Sequence, residues 1–140
     1  MNDRFFLDTN ILVYALRKAL PSKQAIASRL VDAAIDSGKG IISYQVVQEF
    51  FSVAFRRFTP TMSLPEAEQV LALTFRPLLA VHSSYSLYGD ALRLTHRYSL
   101  SWYDSLIVAG AIQGGCGILY SEDLQHGQTF DNLKVQNPFL

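Results

Sequence analysis

Short apolar runs alternate with longer stretches of helical periodicity along the whole 140-residue chain, and this alternation is what most limits its fold. Arg4-Phe5-Phe6-Leu7 reads as a buried strand, and Asp8-Thr9-Asn10 behind it has the residue types of a turn and helix start. A helix is predicted from about 22 to 37, with Ile26, Leu30, Ala33 and Ala34 on its apolar face and Gly38 and Gly40 as its stop. Ile41-Ile42-Ser43 has the pattern of a second strand, backed by a helix over 44–57. Ser63-Leu64-Pro65-Glu66 has the form of a capping box and opens a short helix that ends before Pro77. A third strand is expected over 78–82, a helix over 84–98, and another helix from Ser101 to Gly114-Gly115. Strands over 117–120 and 133–136 complete the series.

Strands and helices in such alternation build an α/β domain whose mainly parallel sheet is covered on both faces. No repeat, low-complexity tract or Gly/Ser linker interrupts the pattern, so residues 1–140 read as a single domain. Sheets of this class place their sites at the carboxyl ends of strands, near a topological switch point. Asp8 follows the first predicted strand, and Glu122 and Asp123 follow the fourth.

Composition narrows the function classes. Apolar residues make up 49% of the chain and charged ones 17%, which excludes a disordered segment. Twelve basic residues balance twelve acidic ones, so neither a basic nucleic-acid binder nor a polybasic membrane-surface protein is indicated. The balance is uneven along the chain: residues 1–57 carry eight bases against five acids, whereas 98–133 hold no Lys or Arg beside Asp104, Glu122, Asp123 and Asp131. The single cysteine, Cys116, cannot form an intrachain disulfide, and no apolar run reaches the roughly 18 residues of a membrane span. Asp8 and Asn10 interrupt the apolar stretch 5–16 and disqualify it as a signal sequence. The expectation is a soluble, cytoplasmic protein.

The acids carry the chemistry. Asp8 lies between Phe5-Phe6-Leu7 and Ile11-Leu12-Val13, where a carboxylate must be bonded, paired or bound to a cation; helix capping and a functional role fit it equally. Asp104 is three residues after Ser101, where a capping-box acid belongs, but Ile107, Val108 and Ala111 put it at the head of a buried face. Glu49 shares a helical stripe with Gln45, Ser52 and Arg56, which by itself reads as a solvated surface. Of Glu122 and Asp123, the pattern does not say which points inward. Several acids at one sheet edge repel one another unless a cation is present, and oxygen-only donors suit Mg²⁺ or Mn²⁺ rather than zinc. His82, His96 and His126 show no metal-ligand spacing, Cys116 reads as a small buried hydrophobe, and Gly114-Gly115-Cys116-Gly117 as a helix terminator rather than a phosphate loop.

Four stretches together resemble the PIN-domain family, and most closely its VapC-type ribonuclease toxins: Phe6-Leu7-Asp8-Thr9-Asn10; Ser43 followed by Gln48-Glu49-Phe50; Leu100-Ser101-Trp102-Tyr103-Asp104-Ser105; and Ile118-Leu119-Tyr120-Ser121-Glu122-Asp123-Leu124. Each is weak alone, but their order and spacing span nearly the whole chain, to Asn137-Pro138-Phe139. The resemblance implies a three-layer α/β/α sandwich around a parallel sheet of about five strands. It maps an acidic catalytic cluster onto Asp8, Glu49, Asp104 and Asp123, with Asp8, Asp104 and Asp123 as ligands of Mg²⁺ or Mn²⁺ and Asn10 and Ser43 as supporting polar groups. Family members commonly carry one acid after the fourth strand; Asp123 is taken as the match and Glu122 is kept as the alternative.

The implied activity is metal-dependent hydrolysis of RNA phosphodiester bonds by the toxin of a toxin–antitoxin pair, with a VapB-like antitoxin and a homodimer as further expectations. Arg17, Lys18, Arg56 and Arg57 are candidate phosphate contacts, and Phe50, Phe51, Phe55 and Phe58 cover too many helix faces for one core stripe, leaving some for an interface. Two alternatives share the fold: a PIN nuclease of RNA processing without an antitoxin, and a non-catalytic PIN-like binding module. Phosphoaspartate hydrolases need a second Asp two residues after the first, where this chain has Asn10.

Overall fold

The computed structural model describes residues 3–17 and 19–140. In chain order they form β1 (Phe5–Leu7), α1 (Thr9–Leu16), α2 (Pro21–Ser37), β2 (Gly40–Ser43) and α3 (Tyr44–Arg57). There follow α4 (Leu64–Val70), a π-helical turn (Leu71–Phe75), the short α5 (Arg76–Leu78) and β3 (Leu79–Val81). The chain ends with α6 (Tyr85–Tyr98), α7 (Trp102–Gln113), β4 (Ile118–Tyr120), β5 (Thr129–Phe130) and β6 (Leu133–Gln136). Six strands make one sheet in the order β3-β2-β1-β4-β6-β5, parallel except where β5 turns back on β6. The strand beyond the expected five is β5, whose two residues are too few to show a period.

Two close approaches fix the layers. A Cβ on Gly40 would stand 2.1 Å from the Cβ of Ala34, so α2 rests directly on β2. A Cβ on Gly114, at the end of α7, would stand 2.3 Å from Cδ1 of Ile41. Gly40 and Ile41 are consecutive on a strand and project to opposite faces, so α2 and α7 cover opposite sides of the sheet. α1 packs against both α2 and α3, α6 packs with α7, and the expected three-layer α/β/α arrangement results. The side chains of Phe6, Leu7, Ile42, Val46, Phe50, Phe75 and Leu119 between these layers are fully buried.

The local signals hold with two corrections. Gly38 terminates α2 in the left-handed conformation (φ 69°), as its position predicts. The buried stripe of α2 is Ala27, Val31 and Ala34, however; Ile26 and Leu30 are only partly covered and Ala33 is exposed, because Ala34 is the residue set on Gly40. The helix opened at Ser63 does not end before Pro77. Its last turns widen, the N–H of Arg76 reaching back to the carbonyl of Leu71, and Pro77, with no N–H to give, sits in the short turn that follows.

The capping box is complete: the Ser63 hydroxyl accepts the N–H of Glu66 at 3.3 Å, and Glu66 Oε1 accepts the N–H of Ser63 at 3.2 Å. Ser63→Ala is expected to cost about 1 kcal/mol in urea denaturation, and an unchanged midpoint would contradict the assigned cap. Among the described residues no helix is long and apolar enough to cross a membrane. Cys116 is buried, and that burial pushes its thiol up to about 11, as expected of a packing residue rather than a nucleophile.

Candidate active site

From β1 the chain steps outward to β2 and β3 on one side, then returns to place β4 on the other side of β1. The crevice between the carboxyl ends of β1 and β4 is the switch point where α/β sheets bind ligands. Asp8 sits there, its N–H donating to the carbonyl of Tyr120 at 3.0 Å. One carboxylate oxygen accepts the N–H of Thr9 at 2.7 Å and caps α1; the other accepts the hydroxyl of Ser121, also at 2.7 Å. Capping and a place in the site therefore coexist in one residue.

Ser121 is a residue that pattern reading missed. It is fully buried, and its hydroxyl oxygen also accepts the N–H groups of Asp123 and Leu124 at 3.2 and 3.3 Å. It thus shapes the turn that carries Asp123 while fixing the orientation of Asp8. The available signal is a serine at a strand end with an acid two residues on, the arrangement in which a hydroxyl bonds the backbone ahead of it.

A cleft of about 360 Å³ opens at this point, lined among others by Asp8, Asn10, Glu49, Asp104 and Asp123. Glu49 reaches it from the middle of α3, and its Oε1 accepts the hydroxyl of Thr9 at 2.8 Å. Asp104 enters from the first turn of α7, whose start is held by the Ser101 hydroxyl accepting the Asp104 N–H at 3.2 Å. From Ser105 to Ala111 that helix is buried all round, so Asp104 is the polar head of an apolar rod. Neither side-chain polar atom of Asn10 has a hydrogen-bond partner, although both are buried.

Two expected residues lie elsewhere. Glu122 accepts the hydroxyl of Tyr14 at 2.5 Å and pairs with Lys23, away from the cleft, so Asp123 is the acid that faces it. Ser43, the buried N-cap position of α3, lines a neighbouring pocket rather than this one. Arg17 and Arg57 stand on the cleft wall and Arg56 beside it, while Lys18 falls outside the described residues. None of the three histidines lines the cleft; His82 stacks on Tyr44, and His126 Nδ1 accepts the N–H of Asn137.

The electrostatics follow from this crowding. Burial pushes the Asp8 carboxyl up to about 7 against the opposing bonds from Ser121 and Thr9, and the charges of Asp123 and Glu49 add to the shift. Asp123 is raised too, by burial first; the Asn10 amide, near it without a hydrogen bond of good geometry, opposes the rise, and Asp104 and Glu122 reinforce it. Glu122 moves the other way: burial works against its charge, but Lys23 and Tyr14 outweigh it and hold the carboxyl below the usual range.

These residues fit a hard divalent cation. The donors are all oxygen, they repel one another without a counter-charge, and a buried amide beside them has unused hydrogen-bonding capacity. Among the described residues no three His, Cys, Asp or Glu side chains form a ready-made cage. Mg²⁺ does not need one: it keeps several waters and is held through one or two carboxylates together with substrate phosphate.

The family model of the PIN domain matches residues 5–130. The chain is a PIN domain. No curated protein sequence gives a significant match. Among solved structures, this PIN domain resembles a toxin–antitoxin complex from Klebsiella pneumoniae at 20% identity and a TM-score of 0.68, covering 95% of this chain and 96% of that one. It also resembles VapC20 of Mycobacterium tuberculosis, described as a sarcin–ricin-loop-cleaving toxin, at 19% identity and a TM-score of 0.62 over 84% and 88% of the two chains. VapBC2 from Rickettsia felis, bound to a DNA fragment from its promoter, matches at 20% identity and a TM-score of 0.64 over 95% and 97%. At these identities the likeness is one of fold.

Because Glu122 is engaged outside the cleft, Glu122→Gln is expected to change any catalytic rate of this PIN domain by less than about twofold. The pair with Lys23 is partly exposed, so stability should fall by no more than about 1 kcal/mol. A large rate loss in Glu122→Gln alongside a silent Asp123→Asn would reverse the assignment of the two acids.

Proposed function

We propose that this PIN domain is a divalent-metal-dependent endoribonuclease and the toxin member of a toxin–antitoxin pair. The observation that carries the reading is the meeting of Asp8, Asn10, Glu49, Asp104 and Asp123, from four separated segments, in one cleft at the sheet's switch point. Family membership supports nuclease chemistry, and the fold shared with toxin–antitoxin complexes and with a sarcin–ricin-loop-cleaving toxin supports the biological setting.

Asp8, Asp104 and Asp123 would hold Mg²⁺ or Mn²⁺, directly or through water. A bound ion supplies an acidified water and neutralises charge on the phosphoryl oxygens during in-line attack. The protein's own part is positional. Ser121 and the Thr9 N–H lock the Asp8 carboxylate, Glu49 is aimed by Thr9 and orients the attacking water, and Asn10 offers an unpaired amide to water or substrate. Arg17 and Arg57 face incoming phosphate from the cleft wall. The mechanism needs no Ser or Cys nucleophile, in keeping with the inert, buried Cys116. A VapB-like antitoxin is the proposed protein partner, and a homodimer the proposed assembly, for which the half-exposed Phe55 on α3 is a candidate contact.

The test is cleavage of labelled single-stranded and hairpin RNAs in Mg²⁺, Mn²⁺ or EDTA, wild type against Asp104→Asn. Cleavage is expected in either metal, none in EDTA, and a loss of more than about 100-fold in the variant. Metal-independent cleavage, or full activity in Asp104→Asn, would sink the assignment. Suppression of that activity by a co-expressed small neighbouring gene product would separate a toxin from an RNA-processing nuclease, and absent metal binding in a titration would indicate a binding module.

A further inference from the structure

Next to the acidic cleft lies a smaller pocket that the chemistry above does not use. It measures about 260 Å³, below the roughly 300–1,000 Å³ of sites for drug-sized ligands, and is therefore sized for one planar ring system. Its walls come from α3, α6 and α7, with Tyr44, Tyr88, Trp102 and Tyr103 as aromatic residues and Ser43 and Gln48 among the polar ones. Among the described residues no Asp, Glu, Lys or Arg lines it. Tyr103 belongs to both cavities, so whatever occupies one is in reach of the other.

Two features call for a ligand. All four aromatic residues keep at least a third of their surface exposed (Tyr44 37%, Tyr88 44%, Trp102 37%, Tyr103 63%), although His82 stacks on one face of Tyr44. The Ser43 hydroxyl, in a side chain only 4% exposed, has no hydrogen-bond partner. A buried hydroxyl left unmatched is costly, and Ser43 is one of the residues that line the pocket. Aromatic faces with uncharged donors and acceptors are what an unpaired nucleobase requires, as phosphates would need cations that this pocket lacks.

We propose that this pocket is a base-binding subsite, in which one unpaired nucleobase of a single-stranded RNA stacks on Trp102 and Tyr103 and hydrogen-bonds Ser43 while the adjoining phosphate lies over the acids. The inference rests on the nuclease reading above and deepens it: the pocket favours single-stranded or looped RNA, because a paired base must first be unpaired and unstacked, at an energetic cost, to enter. Its polar groups would set which base is preferred on the 5′ or 3′ side of the cut.

Trp102 is the single tryptophan of the chain and reports on the pocket directly. The experiment titrates the Asp104→Asn chain in Mg²⁺, and the wild-type chain in EDTA, with an eight-nucleotide single-stranded RNA. An abasic ribose-phosphate oligomer of equal length serves as control. Saturable change of Trp102 fluorescence with the RNA and none with the abasic oligomer is expected. Tyr103→Ala should weaken RNA binding about tenfold, with Tyr103→Phe restoring it, and Ser43→Ala should flatten the base preference at the cleavage site. If wild type cuts RNA while bound RNA leaves Trp102 fluorescence unchanged, the subsite is wrong and the nuclease reading stands. If Trp102→Phe chains lose self-association in sedimentation and the RNA is blind to the pocket, the face belongs to a second copy and the proposal falls. If RNA is neither bound nor cut, both readings fall together.

Discussion

Asp8→Asn is expected to remove RNA cleavage, by more than about 100-fold, and at the same time to make the metal-free protein more stable than wild type. The two effects have one cause. The Asp8 carboxyl is 5% exposed and faces Asp123 and Glu49, so burial and repulsion lift it from 3.8 to about 7 in the folded chain. In the unfolded chain it titrates near its ordinary value. Between about pH 4 and pH 7 the folded protein keeps a proton that the unfolded protein has released. Stability is therefore highest on the acid side of this window, falls as pH rises through it, and is flat above.

The full penalty is on the order of 4 kcal/mol. Asparagine carries no charge to bury and can still accept from the Thr9 N–H, so the variant should lack this pH dependence. Thermal melts in EDTA at pH 5 and pH 8 would show it: wild type should lose more on going to pH 8 than Asp8→Asn does. Adding Mg²⁺ at pH 8 should raise the wild-type melting temperature, because binding to the folded state stabilises it, and should do little for the variant. A wild type as stable as Asp8→Asn at pH 8 without metal would remove the electrostatic basis of the site.

What the sequence discloses differs from acid to acid. Asp8 and Asp104 are legible because each interrupts or heads an apolar run, and a carboxylate in such company needs a reason. Glu49 is not legible that way. Its stripe of Gln45, Ser52 and Arg56 looks solvated, and only the packing of α1 against α3, with Thr9 bonded to Glu49 across forty residues of chain, turns it inward. The family resemblance anticipated that placement where periodicity did not. That Asp123 and not Glu122 lines the cleft follows from the bonds of Glu122 to Lys23 and Tyr14, which come from helices distant in sequence that no local pattern couples to this turn. Ser43 was grouped with the acids by motif, yet it follows Ile41 onto the α7 side of β2 and lines the aromatic pocket instead. The six-strand sheet differs from the expected five only through a two-residue hairpin partner, and the buried stripe of α2 is displaced because it is chosen by contact with Gly40 rather than by the helix alone.

Gly40→Ala is expected to be the most destabilising small substitution in the chain, at about 3 kcal/mol, because the added methyl meets a helix and not a flexible side chain. It would stand 2.1 Å from Ala34 Cβ, 2.6 Å from Ala34 Cα and 2.8 Å from the ring of Phe5. Relief requires lifting α2 off the sheet or moving β2, and β2 leads directly into α3, which carries Glu49. Gly114→Ala meets Cδ1 of Ile41 at 2.3 Å, but that atom is the end of a rotatable side chain, so part of the cost can be shed. Gly38→Ala meets nothing within 4 Å and bears only the strain of its positive φ, roughly 1 kcal/mol. Urea denaturation of the three variants should therefore rank Gly40 above Gly114 and Gly38, with any nuclease activity of Gly40→Ala lost at a lower temperature than that of wild type. A Gly40→Ala midpoint no lower than that of Gly38→Ala would mean that α2 can move without cost, and that the seat of β2, and with it the position of Glu49, is not fixed by this contact.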